Sequence, residues 1–155
     1  MKRILVDAAQ CAGCRVCELA CSYHHEGRFS PSLSRVDVVK EDKYGLDYPV
    51  YCRQCDECPP ADACPVGALN KGDYGAIILD AEACINCGIC ANHCTYNAVK
   101  LDEASKPLIC DLCGGDPVCV KKCPTDALTY EESGQVTDQP EAVFRMLRER
   151  WGIDV

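Results

Sequence analysis

Residues 84–94 read Cys84-Ile85-Asn86-Cys87-Gly88-Ile89-Cys90-Ala91-Asn92-His93-Cys94, with the cysteines at the spacing C-x2-C-x2-C-x3-C. This spacing or a variant of it occurs three more times, so that all sixteen cysteines fall into four groups of four. The groups are Cys11, Cys14, Cys17 and Cys21; Cys52, Cys55, Cys58 and Cys64; Cys84, Cys87, Cys90 and Cys94; and Cys110, Cys113, Cys119 and Cys123. Four thiolates are what one cubane iron–sulfur cluster requires, so the sequence predicts four [4Fe–4S] clusters.

The spacing within a group favours iron–sulfur clusters over zinc and disulfides. Three cysteines at C-x2-C-x2-C can surround one cluster, with backbone N–H groups directed at its sulfides. A fourth cysteine three residues later follows a helical turn and points away, so it is predicted to ligate a different cluster. Structural zinc sites instead use paired C-x2-C elements separated by longer loops, and disulfides are rare in the cytoplasm.

Two of the four groups depart from the plain spacing. The second group widens its last gap, and the fourth widens the gap between Cys113 and Cys119. Cys58 is the least certain ligand of the sixteen, because two prolines follow it and the loop to Cys64 must take a different path. A weakly held cluster or a three-iron cluster is therefore an open alternative at the second group.

Composition limits the partners that the chain can have. Its 155 residues carry a formal net charge of −8, and four clusters with their thiolates would add about −8 more. An acidic particle binds nucleic acid poorly and suits docking to basic patches on redox partners, although acidity also serves solubility alone. The chain has one Trp and two Phe, so we expect it to be largely unfolded without its clusters.

Targeting, membrane and catalytic signals are not evident in the sequence. The apolar run from Ile4 to Val6 is too short for a signal peptide, and no stretch approaches the ~20 apolar residues of a membrane helix. We therefore expect a cytoplasmic protein without direct membrane insertion, with export on a partner's signal as an alternative. No P-loop, nucleotide fingerprint or nucleophile–base set stands out, so no catalytic site of its own is predicted.

Short strands and helical turns are predicted around the cysteine groups. The strands are expected at residues 3–7, 35–39, 76–80 and 127–131, with 98–101 as a partner of the third. The helical turns are expected at residues 18–20 and 91–93. His24, His25 and His93 lie beside cysteine groups, but sixteen cysteines leave no vacancy for a histidine ligand, so these are expected near the clusters or on the surface.

The segment after the last cysteine group is predicted to be helical. Residues 140–151 contain no cysteine, and Asp138 is a plausible N-cap with Pro140 in the first turn. Helical spacing puts four side chains on one face, namely Val143, Met146, Leu147 and Trp151. That face packs on the body of the protein or docks with a partner subunit.

Three stretches carry a resemblance to a known family. They are Cys64-Pro65-Val66-Gly67-Ala68-Leu69, Cys84-Ile85-Asn86-Cys87-Gly88-Ile89-Cys90 and Cys123-Pro124-Thr125-Asp126-Ala127-Leu128. The chain resembles, over most of residues 4–130, the ferredoxin-type electron-transfer subunits of molybdenum and tungsten oxidoreductases, such as those of dimethyl sulfoxide reductase and formate dehydrogenase. The resemblance implies a loop-rich α+β fold, with two interlaced bacterial 2[4Fe–4S] ferredoxin-like modules and a C-terminal helix.

The same resemblance implies which cysteines share a cluster. The four implied sets are Cys11, Cys14, Cys17 and Cys123; Cys110, Cys113, Cys119 and Cys21; Cys52, Cys55, Cys58 and Cys94; and Cys84, Cys87, Cys90 and Cys64. The implied outer module comprises residues 1–49 and 103–136, the inner module residues 50–102, and the helical tail residues 137–155.

A narrower resemblance concerns the partner. The segments His25-Glu26-Gly27-Arg28-Phe29-Ser30-Pro31 and Ser34-Arg35-Val36 are similar to those of small iron–sulfur subunits of tungsten aldehyde oxidoreductases and benzoyl-CoA reductases. The short chain favours the aldehyde oxidoreductase subunit. This implies a large catalytic subunit with a tungsten or molybdenum pterin, a ferredoxin or a flavin subunit as acceptor, and possible end-to-end self-association. The alternatives are a free-standing polyferredoxin, or a subunit of a hydrogenase, formate dehydrogenase or benzoyl-CoA reductase.

Overall fold

Short antiparallel strand pairs and short helices make up the fold. The computed structural model describes residues 1–136 and 138–153. The strands are β1 (Lys2–Val6), β2 (Asp37–Glu41), β3 (Leu46–Val50), β4 (Leu69–Lys71), β5 (Ile77–Leu79), β6 (Lys100–Leu101), β7 (Pro107–Leu108) and β8 (Leu128–Glu132). The helices are α1 (Val16–Glu26), α2 (Pro59–Asp62), α3 (Ile89–His93), α4 (Val118–Lys122) and α5 (Pro140–Trp151). Helices and strands occur together, as the predicted α+β class requires.

The two ends of the cysteine-rich region lie side by side. Strand β1 pairs with β8, from Lys2 opposite Glu132 to Val6 opposite Leu128. Helix α1 packs on α4, and in the middle of the chain α2 packs on α3 beside the β4–β5 pair. The first and last cysteine groups are thus brought together, and so are the second and third. The division into two interlaced modules with the boundaries given above remains a prediction.

The strand pairing differs from the sequence prediction in the middle of the chain. The predicted partner of residues 76–80 was the segment 98–101, but β5 pairs with β4. Strand β6 instead forms a two-residue ladder with β7, Lys100 opposite Leu108. Strand β3 was not predicted because Asp47 and Pro49 interrupt its apolar pattern, yet it pairs with β2 along its whole length.

Helix α5 covers its own protein with only part of the expected face. Val143 and Leu147 are buried as predicted, together with Phe144, against a core that includes β3. Met146 and Trp151, which share that face by helical spacing, are 54% and 46% exposed, so only part of the face packs on the body of the protein. The predicted cap at Asp138 was also wrong, because the helix begins after Gln139 and no side chain of a described residue caps it. Residues 137, 154 and 155 of the predicted tail lie outside the described residues.

Three clusters of buried side chains hold the fold together. Predicted ligands are part of the first and the third, among them Cys17, Cys119 and Cys90. Two of these three clusters in the described residues therefore contain predicted ligands, and the remaining one, which holds α5, is built from other buried side chains. Within residues 1–136 and 138–153, no helix combines the length and the apolar character that crossing a bilayer requires.

Candidate metal centres

Cysteines from the second and third groups line a common cavity. The cavity, about 30 Å³ in volume, is lined by Cys52, Cys55, Cys58 and Cys94. Cys94 comes from the third group, next to α3, and faces the three cysteines of the loop before α2. These four residues are one of the ligand sets that the family resemblance implies.

A second cavity repeats this arrangement with the roles of the groups reversed. Cys84, Cys87 and Cys90 line a cavity of about 20 Å³ together with Cys64, which comes from the second group. The remainder of the lining is apolar, including Val66, Leu79, Ile85 and Pro107. In both cavities, three cysteines from one group therefore meet the last cysteine of the other group.

The thiols of the first and fourth groups are also close neighbours. Burial raises the pKa of Cys11, and the nearby thiolates of Cys14 and Cys123 raise it further. Burial likewise raises the pKa of Cys119, to which the thiolates of Cys21 and Cys113 add. Each of these two neighbourhoods combines cysteines from both ends of the chain, in the pattern of the implied sets. Ligation of iron by all sixteen residues remains a prediction.

Burial makes several of these thiols hard to deprotonate without a metal. It raises the pKa of Cys17 to about 12 and that of Cys52 to about 12. A metal must therefore displace a firmly held proton from such a thiol, and metal binding at these sites releases protons. Cys64 differs, because the backbone N–H of Ala68 donates to its Sγ at 3.2 Å and lowers its pKa.

One backbone turn recurs in all four cysteine groups. The residue before the second cysteine has a positive φ, namely Gly13 (60°), Gln54 (52°), Asn86 (54°) and Leu112 (57°). Such a left-handed residue turns successive N–H groups toward one point and forms a concavity that suits an anion. Glycine and asparagine adopt this conformation readily, whereas Gln54 and Leu112 give no sequence signal for it.

A second turn recurs after the last cysteine of three groups. The third residue after that cysteine again has a positive φ: Gly67 (61°), Asn97 (51°) and Asp126 (53°). At Cys94 this turn directs the N–H of Ala98 toward Sγ at 3.3 Å, as the N–H of Ala68 is directed toward Cys64. Hydrogen bonds from backbone N–H groups to a thiolate stabilise its charge, so these turns suit cysteines that act as metal ligands.

Buried polar residues between the cysteines were not predicted from the sequence. Gln54 donates from Nε2 to the carbonyl oxygen of Cys110 at 2.7 Å and accepts at Oε1 from the N–H of Ile77 at 2.7 Å. It thereby joins the second cysteine loop to the fourth. Its neighbour Arg53 lines the Cys52–Cys94 cavity and is 2% exposed. A residue between two cysteines looks like a spacer in the sequence, because its partners are distant in the chain.

His25 lies next to a predicted ligand, as its position beside a cysteine group predicts. Its Nε2 lies 3.8 Å from Sγ of Cys113 and 3.5 Å from Oδ1 of Asp111. Ligand atoms of His24, His25 and Cys113 all lie within 4.8 Å of one another. Cys113 belongs to an implied ligand set, so both histidines lie beside a predicted metal ligand.

The residues fit iron–sulfur clusters on three grounds. The thiols converge from two groups at each site, the repeated turns direct N–H groups toward them, and a buried guanidinium without a carboxylate partner among the described residues lines one of the cavities. The described cysteines would hold the clusters, which supply one-electron redox chemistry when bound. The chain's own residues fix the geometry of the thiolates, bury several of them, among them Cys17 and Cys119, and donate hydrogen bonds to the sulfur atoms of Cys64 and Cys94.

Cys58, the least certain ligand, lines the same cavity as Cys52, Cys55 and Cys94. The prolines after it form the start of α2, whose amide N–H groups at Ala61 and Asp62 bond to the Cys58 carbonyl oxygen. We expect Cys58→Ala to lose about four iron atoms per chain, or to convert one cluster to a three-iron form. Iron analysis and EPR spectroscopy test this, and an unchanged iron content with an unchanged spectrum would remove Cys58 from the ligand set.

The sequence is similar to a known protein family and to characterised relatives. The family model for the 4Fe-4S dicluster domain matches residues 45–133. The polyferredoxin-like subunit of aliphatic sulfonate oxidoreductase from Pyrococcus furiosus is 40% identical over 122 aligned residues, which cover 77% of this chain and 70% of the relative. The beta subunit of NADH-dependent phenylglyoxylate dehydrogenase from Aromatoleum evansii is 35% identical over 140 aligned residues, which cover 88% of this chain and 31% of that longer relative.

A solved structure shows the same overall arrangement. In the active-site complex BamBC of benzoyl coenzyme A reductase with benzoyl-CoA, one polypeptide superposes with a TM-score of 0.53 and 28% sequence identity. The superposition covers 99% of this chain and 92% of the other.

Proposed function

The chain belongs to the 4Fe-4S dicluster domain family, an iron–sulfur electron-transfer family with members in oxidoreductase complexes, and on this premise we propose that it is a relay subunit with four [4Fe–4S] clusters. The observation that carries the proposal is the meeting of three cysteines from one group with the last cysteine of another in each of two cavities. The chain itself has no catalytic site in this proposal. A partner subunit performs the catalysis.

The neighbourhoods of the cysteines support one order for the relay. Cys17 belongs to the implied first set and is a close neighbour of Cys119 in the second. Cys110 of the second set is in turn a close neighbour of Cys52 in the third. The fourth set, with Cys64, lies next to the third because α2 packs on α3. The proposed relay therefore runs from the paired chain ends to the middle of the sequence.

A partly exposed apolar stripe on α1 supports a role inside a complex over that of a free carrier. The stripe comprises Val16, Leu19 and Tyr23, with Val118 of α4 and Phe29 beside them. The rings of Tyr23 and Phe29 stack on each other with their centroids 4.6 Å apart. Even so, Tyr23 is 54% exposed and Phe29 is 69% exposed. Contiguous exposed apolar side chains of this kind are typical of surfaces that a partner covers.

The catalytic partner that we propose is a large subunit with a tungsten pterin that oxidises aldehydes. Its electrons would pass through this chain to a ferredoxin or to a flavin subunit that reduces NAD. The support is the likeness of residues 25–36 to small subunits of that kind. We place the complex in the cytoplasm.

Affinity purification of the tagged chain from its native host, under anaerobic conditions, tests this proposal. We expect a large subunit to co-purify with tungsten, and the complex to oxidise aldehydes with an added acceptor. Molybdenum or nickel in its place would identify a formate dehydrogenase or a hydrogenase. A monomeric chain with intact clusters and no partner would instead establish a free polyferredoxin. The mass of the complex at several concentrations tests end-to-end association, which a single fixed mass would contradict.

A further inference from the structure

Arg53 is a buried cation within the second cysteine group. It lies between Cys52 and Cys55 and is 2% exposed. Its guanidinium lies over three tyrosine rings, at 4.8 Å from the centroid of Tyr51, 5.4 Å from that of Tyr48 and 5.8 Å from that of Tyr96. The aromatic faces attract the charge and hold the side chain in one place.

The hydrogen bonds of Arg53 leave much of its guanidinium unpaired. Nη2 donates to the hydroxyl of Tyr48 at 3.0 Å and to the backbone carbonyl of Asp138 at 2.9 Å. Nε and Nη1 are buried and find no hydrogen-bond partner within residues 1–136 and 138–153. Among the described residues, no carboxylate forms an ion pair with Arg53, whereas Arg3 pairs with Asp56 and Arg35 with Glu26.

A buried charge without a counter-charge destabilises the folded protein. A guanidinium stays protonated in proteins, and the cost of burying a charge is recovered only when an opposite charge or a full set of hydrogen bonds is nearby. Arg53 lines the same cavity as Cys52, Cys55, Cys58 and Cys94. A cluster held by those four thiolates is negatively charged, so it would supply the missing counter-charge.

The neighbouring cavity provides an internal comparison. In the part of the chain that the structure describes, the space between Cys64, Cys84, Cys87 and Cys90 is lined by apolar residues and by no charged side chain. Reduction adds a negative charge to a cluster, and a fixed positive charge in a medium of low dielectric constant favours the more negative state. The two cavities shared by the second and third cysteine groups therefore differ in the presence of a positive charge, which favours reduction of a bound cluster.

We infer that Arg53 is the counter-charge for the cluster of Cys52, Cys55, Cys58 and Cys94, and that it gives this cluster a higher reduction potential than the cluster of Cys64, Cys84, Cys87 and Cys90. An electron on the inner pair then resides next to Arg53, and the apolar site passes electrons on without retaining them. This inference rests on the proposed function, because it requires that both sites carry clusters.

Anaerobic redox titration of the iron-loaded full chain, followed by EPR spectroscopy, tests the inference with Arg53→Met and Arg53→Lys. We expect Arg53→Met to move one midpoint potential to a more negative value and to leave the others in place. Arg53→Lys, which keeps the charge, is expected to lie close to the wild type. Arg148→Met is the matched control, because Arg148 lies over the ring of Tyr44 but forms an ion pair with Glu41 and lines neither cysteine cavity.

Each outcome of the titration bears on the inference. Unchanged potentials in Arg53→Met with full iron content would overturn it. If Arg53→Met loses about four iron atoms, retention of that iron by Arg53→Lys supports the role of the charge, and equal loss in both variants contradicts it. Failure of the proposed function appears separately, as a wild-type chain that holds no reducible clusters.

Discussion

Removal of iron from the loaded protein by a chelator is expected to unfold most of the chain. The largest core cluster contains Cys17, Cys21, Cys110 and Cys119 among its buried residues, and on the proposed ligand sets these positions lose their metal bonds between the two chain ends when iron is removed. Each sheet in the described part of the chain has two strands, and such pairs are marginally stable on their own. Because an unfolded chain does not present the metal site, the free energy of metal binding becomes free energy of folding.

Circular dichroism and amide hydrogen exchange measure this unfolding. Any residual protection is expected where α5 packs on β3, because the centre of that core is Leu46, Tyr48, Phe144 and Leu147 rather than cysteine. The control is the same chelator saturated with iron beforehand. Retention of protected amides in β1 and β8 after complete iron removal would contradict the expectation.

Removal of Cys94 is expected to abolish a cluster that belongs to the other cysteine group. Cys94 directly follows α3, and it lines the cavity of Cys52, Cys55 and Cys58. Cys94→Ala should therefore lower the iron content by about four atoms of about sixteen. This single result does not identify the cluster, so double variants are needed.

The double variants distinguish exchanged from unexchanged ligands. If Cys94 and Cys52 serve one cluster, Cys94→Ala with Cys52→Ala should lose no more iron than either single variant. Cys94→Ala with Cys84→Ala should then lose about eight atoms, since two clusters are affected. The opposite result, additivity with Cys52 and none with Cys84, would show that each group holds its own cluster.

The spacing of the cysteines was sufficient to predict the four groups from the sequence. The features that were not predicted depend on contacts between residues that are distant in the chain. The positions of β1, β5 and β8 follow from short apolar runs that carry their own signal. Strand β3 escaped prediction because Pro49 is unfavourable within a strand, although all five of its residues are buried. In α5, the spacing of apolar residues was correct, but which part of that face met the protein depended on β3, and Phe144 was buried in place of Met146.

In the candidate sites, too, some features have a local sequence signal and others depend on distant contacts. Gly13, Gly67 and Asn86 are residue types that favour a positive φ, so their turns are visible in the sequence once the repeat is known. Leu112 adopts the same conformation with no such signal. The environment of Arg53 depends on Tyr96, more than forty positions away by residue number, and no local pattern contains it.

The pairing of β1 with β8 affects the order in which the proposed clusters can form during synthesis, because the two strands are far apart in the sequence. Ribosomes release a chain from its N-terminus at about 5–20 residues per second, so Cys11, Cys14 and Cys17 emerge long before Cys123, their proposed companion. Both inner ligand sets are complete once Cys94 has emerged. On the proposed ligand sets, the inner clusters can assemble during synthesis once Cys94 has emerged, whereas Cys11, Cys14 and Cys17 lack their fourth ligand until Cys123 has been synthesised.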